Sequence, residues 1–124
     1  MILQNGAKIL VAHRRLFDAD HGRFFVGLVE GYDDGIACVS GHTWIRDGYT
    51  GEFKRKDDER TKLIAIGSGN VIVYLLPTHV PLSSMQLVVA GTSVHLRGEG
   101  GFEMDLTEGV LHAGERSPGS RRSA

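Results

Sequence analysis

The chain has 124 residues, the size of a single domain, and 41% of them are hydrophobic, enough for one core without staples. A formal net charge of -1 excludes an overall electrostatic pull toward nucleic acid or anionic membrane, and a lone cysteine, Cys38, excludes an internal disulfide. No apolar run approaches the roughly 20 residues of a membrane helix.

The first segment, MILQNGAKILVAHRR, lacks the basic head, apolar centre and small-residue cleavage site of a secretory signal, so a cytoplasmic location is expected. Residues 7–17, AKILVAHRRLF, fit either a strand or a short capping helix: Ile9, Val11 and His13 alternate, while Ile9, Ala12, His13 and Leu16 share a helical face. Asp18-Ala19-Asp20-His21-Gly22 is turn chemistry. Phe24 to Tyr32 is then apolar on both faces, with Phe24, Val26 and Leu28 on one and Phe25 and Val29 on the other. A strand with a solvent side would alternate, so the N-terminal segment or another subunit is expected to cover its second face. Gly27 inside it allows a sharp bend of the kind a small barrel needs. Asp33-Asp34-Gly35 turns the chain into a second strand, Ile36 to Arg46, in which Gly41 marks a bulge or second bend and Cys38 a small buried hydrophobe.

Residues 47–62, DGYTGEFKRKDDERTK, read as a polar loop or hairpin extension anchored by Phe53. Leu63 to Ile66, a turn at Gly67-Ser68-Gly69-Asn70, and Val71 to Leu76 follow, the last rich in β-branched residues and expected to be a fully buried strand ended by Pro77. Val80 to Ser84 predicts one helical turn with proline near its start. Met85–Ala90, Val94–Arg97 and Phe102–Leu106 predict three further short strands; in the last, Phe102, Met104 and Leu106 point in and Glu103 and Asp105 out. Seventeen glycines spread between these segments supply the turns. Residues 1–112 are expected to form one domain and 113–124 a disordered tail.

Two segments carry a resemblance. GLVEGYD, Gly27 to Asp33, resembles the first motif of the Sm-like proteins, and GNVIVYLLP, Gly69 to Pro77, resembles the second; they occur in that family's order, with a polar loop between them. More broadly, residues 13–109 are similar to a group of bacterial Sm-like proteins. The resemblance implies an all-β fold, a small, strongly bent Sm-like (SH3-type) barrel, here with extra C-terminal strands and a short N-terminal helix or strand. It also implies rings built by strand pairing between copies, and binding of uridine-rich single-stranded RNA at the pore. Where the family reads uridine with an asparagine and an arginine, this chain has Ala37 and Ser68. Neither can stack on a base or carry charge, and alanine offers no hydrogen bond.

Other chemistry is sparse. Arg14, Arg15, Lys54, Arg55 and Lys56, with Phe53 for stacking, are the residues an RNA-binding ring would use. Asp57-Asp58-Glu59 follows Lys56 at once, which makes a solvated loop with internal ion pairs the blander explanation. Asp18, Asp20 and His21 offer metal-ligand atoms within one turn, but no HExxH or paired-cysteine spacing accompanies them, so neither a metal nor a cofactor is expected. Ser40-Gly41-His42 and Thr78-His79 put hydroxyl and imidazole side by side without an orienting carboxylate, and no Gly-x-Ser-x-Gly elbow occurs. A nucleotide-sensing barrel would start from Arg14-Arg15, but lacks the serine-bearing turn after the strand. The expectation is a non-catalytic, self-assembling scaffold. Its interface would draw on the surplus apolar surface of Phe25, Val29, Val71, Ile72, Val73 and Tyr74.

Overall fold

In the computed structural model, which describes residues 3–13 and 23–106, the longest strand pairing joins β2 (Arg23–Asp33) to β3 (Ile36–Arg46). Asp34 and Gly35 link them with φ of 51° and 82°, the left-handed pair of a type I′ turn, whose twist suits a hairpin. β1 (Lys8–His13) runs antiparallel along the other side of β2, and β6 (Val71–Leu75) antiparallel along β1. The far side of β3 is shared. Its C-terminal half pairs with β4 (Phe53–Arg55) and its N-terminal half with β5 (Arg60–Ala65). A 3-10 turn at Ile66–Ser68 carries the chain from β5 to β6. Three further strands, β7 (Gln86–Ala90), β8 (Ser93–Gly98) and β9 (Phe102–Asp105), form a separate antiparallel sheet behind the turn at Leu82–Ser84.

One contact makes the first sheet curl. Gly27 of β2 stands opposite Gly41 of β3. A Cβ on Gly41 would run into the carbonyl oxygen of Val26 and lie 2.5 Å from the Gly27 Cα, while one on Gly27 would run into the carbonyl oxygen of Ser40. The two backbones approach closer than any side chain allows, which is the use of glycine at a sheet bend. The register shift that marks a bulge falls between Val29 and Gly31, so Gly41 is the partner in the bend and the bulge lies in β2.

The bend gives the sheet two covered faces. Inward lie Ile9, Val11, Phe25, Val29, Ala37, Val39 and Ile64, with Val71, Val73 and Ile66 packed against them. All of these belong to the curled sheet or to the turn between β5 and β6, so the sheet buries this face against itself. Outward lie Leu10, Phe24, Val26, Trp44, Phe53 and Leu76, which meet Val80, Met85, Leu87, Val94, Leu96 and Leu106 of the C-terminal sheet and its approach. The doubly apolar pattern of β2 follows from these two covers.

The fold is all-β, with the extra C-terminal strands, and the N-terminal segment is a strand. The curled sheet is open, since β5 and β6 do not pair. Phe25 and Val29 are covered by the N-terminal Leu3, Ala7, Ile9 and Val11 together with Ala37, Val39 and Ile64, while the Phe24 and Val26 face is covered by the chain's own C-terminal sheet. One expectation needs correction: Val71 to Leu75 have no fully buried residue, because among the described residues β6 is an edge strand with a neighbour on one side only. The expected tail and the turn at 18–22 lie outside the described residues. No helix among the described residues is long and apolar enough to cross a membrane.

Gly41→Ala is expected to destabilise the protein by about 4 kcal/mol or more, the upper range for a single substitution, since backbone and not a flexible side chain stands in the way. Urea unfolding monitored by the fluorescence of Trp44 measures it. A loss below about 1 kcal/mol would show that the glycine contact is not what bends the sheet.

Candidate functional site

The two end strands of the curled sheet expose the groups most able to act. The Leu76 N–H donates to the Lys8 carbonyl at 2.8 Å. Hydrogen-bonding groups alternate in direction along an antiparallel strand, so those of Val71, Val73 and Leu75 point away from β1. Likewise the Ile66 N–H donates to the Gly35 carbonyl at 3.0 Å, which turns those of Thr61, Leu63 and Ala65 away from β3. Among the described residues no strand pairs with these outer sides. Large apolar side chains stand beside them: Leu63 is 76% exposed, Leu75 52% and Ile72 42%. Ile36, on the same face as Leu63, is exposed as well.

A second feature is a groove of about 320 Å³ on the outward face, between β2 and β3 and the turn at Leu82–Ser84. Leu28, His42, Trp44 and Met85 line it together with Glu30, Arg55 and Glu59. Its charges are of mixed sign, and it holds no activated nucleophile: the Ser40 hydroxyl is hydrogen-bonded to the Thr61 hydroxyl at 2.9 Å and not to His42. Trp44 itself is core, as expected of a large aromatic facing the second sheet.

The loop foreseen as a nucleic-acid surface is built differently. Phe53 is 8% exposed and packs edge-to-face on Phe24, ring centres 5.3 Å apart. It belongs to the outward core and has no open face on which a base could stack. Lys54 pairs with Asp47 at 3.2 Å and Arg60 with Asp58 at 3.1 Å, the internal ion pairs of the blander explanation. Arg55 lines the groove and Lys56 is exposed. Asp47 organises the connection to β4. It accepts hydrogen bonds from the backbone N–H of Tyr49 at 2.7 Å and of Thr50 at 3.3 Å, and these, with Lys54, hold its carboxyl below the usual aspartate value.

Other foreseen positions divide. Phe25 and Val29 are wholly buried inside the chain's own inward core, which removes them from any interface; Val71, Val73 and Tyr74 are half-buried and only Ile72 is exposed. Ala37 is also fully buried, so no base can reach it, and the Ser68 hydroxyl accepts the Asn70 N–H at 3.2 Å within its own turn. Arg14, Arg15, Asp18, Asp20 and His21 lie outside the described residues. Among the described residues no group of three or more His, Cys, Asp or Glu side chains converges as a metal site would require. Leu63 and Leu75, the most exposed apolar side chains beside the sheet edges, were not singled out from the sequence. Their apolar runs resemble core strands, and only the strand order exposes them. No family model, curated protein or solved structure matches the chain.

Phe53→Ala is expected to cost about 3 kcal/mol of stability, as for a buried aromatic, against about 0.5 kcal/mol for an exposed ring. Chemical denaturation separates the two. Asp47 has a folded pKa below its unfolded one, so its stabilising contribution is present above the unfolded aspartate pKa and lost as pH falls through the folded one. Carboxyl NMR titration should give Asp47 a lower midpoint in the native protein than in the Lys54→Gln variant. Equal midpoints would remove Lys54 from the account.

Proposed function

We propose that this chain is a non-catalytic, Sm-like scaffold whose copies join head to tail, the free edge of β6 in one pairing with the free edge of β5 in the next. The single observation that carries it is the pair of apolar-flanked strand edges at opposite ends of one curled sheet that no other strand among the described residues pairs with. Long unpaired edges are templates for another strand, and natural proteins blunt those they do not use with charge, proline or a bulge. Val71–Leu75 of β6 carry none of these, while β5 carries Arg60 and Lys62 toward its start and turns the backbone groups of Thr61, Leu63 and Ala65 outward. Two different edges meeting make a heterologous contact, which closes into a ring when the rotation between copies allows it. The glycine-bent hairpin and the 3-10 turn before β6 fit the curled sheet that the Sm-like resemblance implies. A cytoplasmic setting belongs to the same proposal, and the unpaired Cys38 thiol suits a reducing compartment.

A single-stranded-RNA-binding ring using Arg14, Arg15, Lys54, Arg55 and Lys56 ranks second. It has lost its stacking ring, Phe53, to the core and one cation, Lys54, to Asp47.

Light scattering coupled to size exclusion should find a homo-oligomer at micromolar concentration. Leu63→Lys with Leu75→Lys, both at exposed positions, should yield folded monomers, since charge on an edge opposes strand addition. A wild-type chain that elutes as a monomer would sink the proposal.

A further inference from the structure

The outward face of the curled sheet is only partly roofed. The C-terminal sheet and its approach pack on Leu10, Phe24, Val26 and Trp44, and beside them the groove along β2, β3 and the turn at Leu82–Ser84 stays open. Its volume of about 320 Å³ is at the small end of the range for ligand pockets. On its floor Leu28 stands opposite Ser40 and Val26 opposite His42, while Leu82 and Met85 form a wall.

A charged group marks each end. Arg55 of β4 pairs in register with Trp44. Glu30 falls within the register shift between Val29, opposite Val39, and Gly31, opposite Cys38, as the extra residue of the bulge in β2. Bulges re-aim a side chain out of the regular pleat and recur beside active sites. Here the side chain delivered to the groove is a carboxylate. Trp44 and Val39 are five residues apart along β3, roughly 16 Å at the rise of a strand. Glu59 lines the groove from the Arg55 side of β3, next to Arg60. Among the described residues Glu30, Arg55 and Glu59 enter no ion pair. The groove is therefore positive at one end, negative at the other and apolar between.

We propose that this groove binds an apolar dipeptide with both ends free. The terminal carboxylate pairs with the Arg55 guanidinium, whose planar fork matches it with two parallel hydrogen bonds. The terminal ammonium pairs with Glu30. The side chains lie on Leu28, Met85 and the exposed edge of Trp44. Extended, a dipeptide spans about 7 Å, and the two long charged side chains close the remaining distance from either end. An organic cation would satisfy Glu30 and leave Arg55 unused; a simple anion would do the reverse. The proposal rests on the groove and the bulge, so it stands apart from the edge-to-edge assembly of copies.

The test uses the full chain and leucyl-leucine, titrated calorimetrically at low ionic strength. Saturable binding is expected, weakened about tenfold by acetylation of the amino end, by amidation of the carboxyl end, by Glu30→Gln and by Arg55→Gln. The losses pair off: Glu30→Gln costs the acetylated peptide nothing further, and Arg55→Gln costs the amidated peptide nothing further. Glu52→Gln, an equal change of charge away from the groove, leaves binding as it was. Glu30 and Arg55 are exposed, so neither variant threatens the fold. Glycyl-glycine, with the same ends and no side chains, should bind about tenfold more weakly or worse. Amide NMR shifts should centre on Leu28, Ser40 and His42. The proposal fails if binding does not saturate, if a blocked peptide binds as tightly as the free one, or if glycyl-glycine equals leucyl-leucine. It fails too if Glu30→Gln or Arg55→Gln loses no more than Glu52→Gln. Shifts centred on β5 or β6 would also overturn it, since the peptide would then be adding to a sheet edge.

Discussion

Two backbones touching at Gly27 and Gly41 set the conditions for everything else in this molecule. Where a side chain would normally hold neighbouring strands to their usual pleat, hydrogen atoms alone intervene, and the β2–β3 hairpin folds over. Without the bend, a sheet apolar on both sides would have to find two external covers. With it, the inward side closes on itself around Phe25, Ile9 and Val39, and only the outward side needs a partner. The chain supplies that partner in β7 to β9, whose Leu87, Val94 and Leu96 complete the second core.

Double burial changes where self-association could arise. The apolar residues of β2 are spent within the chain, so they leave no surplus to glue copies together. What remains without a strand partner among the described residues is backbone, the outward N–H and C=O groups of β5 and β6, with Leu63, Ile72 and Leu75 alongside. Assembly through such edges is directional. It relies on a ladder of hydrogen bonds, with apolar contact as support, and selects a register that a patch of leucines alone would not.

Electrostatics follow the same geometry. The densest run of basic residues in the chain, Lys54-Arg55-Lys56, is partly neutralised by its own neighbourhood, as Lys54 leans on Asp47. Arg23 and Lys62, which have no acidic partner among the described residues, are far apart in sequence and come into the field of His13 only because β1, β2, β3 and β5 lie side by side. A net charge near zero is no guide to such a cluster, since the sum is blind to position.

By itself the sequence determined most of the strands, their turns and the all-β class, while residues 7–17 fitted a strand or a helix alike and β4 with the start of β5 lay inside a stretch read as a loop. Alternation along Phe102–Leu106, the Asp34-Gly35 turn and the glycine within Phe24–Val29 are local signals, and local backbone preference decides them. Tertiary structure alone decided which sheet covers the outward face of β2, that Val71–Leu75 is an edge among the described residues, that Phe53 is core and that Lys62 lies over the Phe25 ring. Each of these depends on which strand lies next to which, and strand pairing joins residues tens of positions apart through backbone groups that every residue carries alike. An apolar run therefore looks the same whether its neighbour is its own chain, another copy or water.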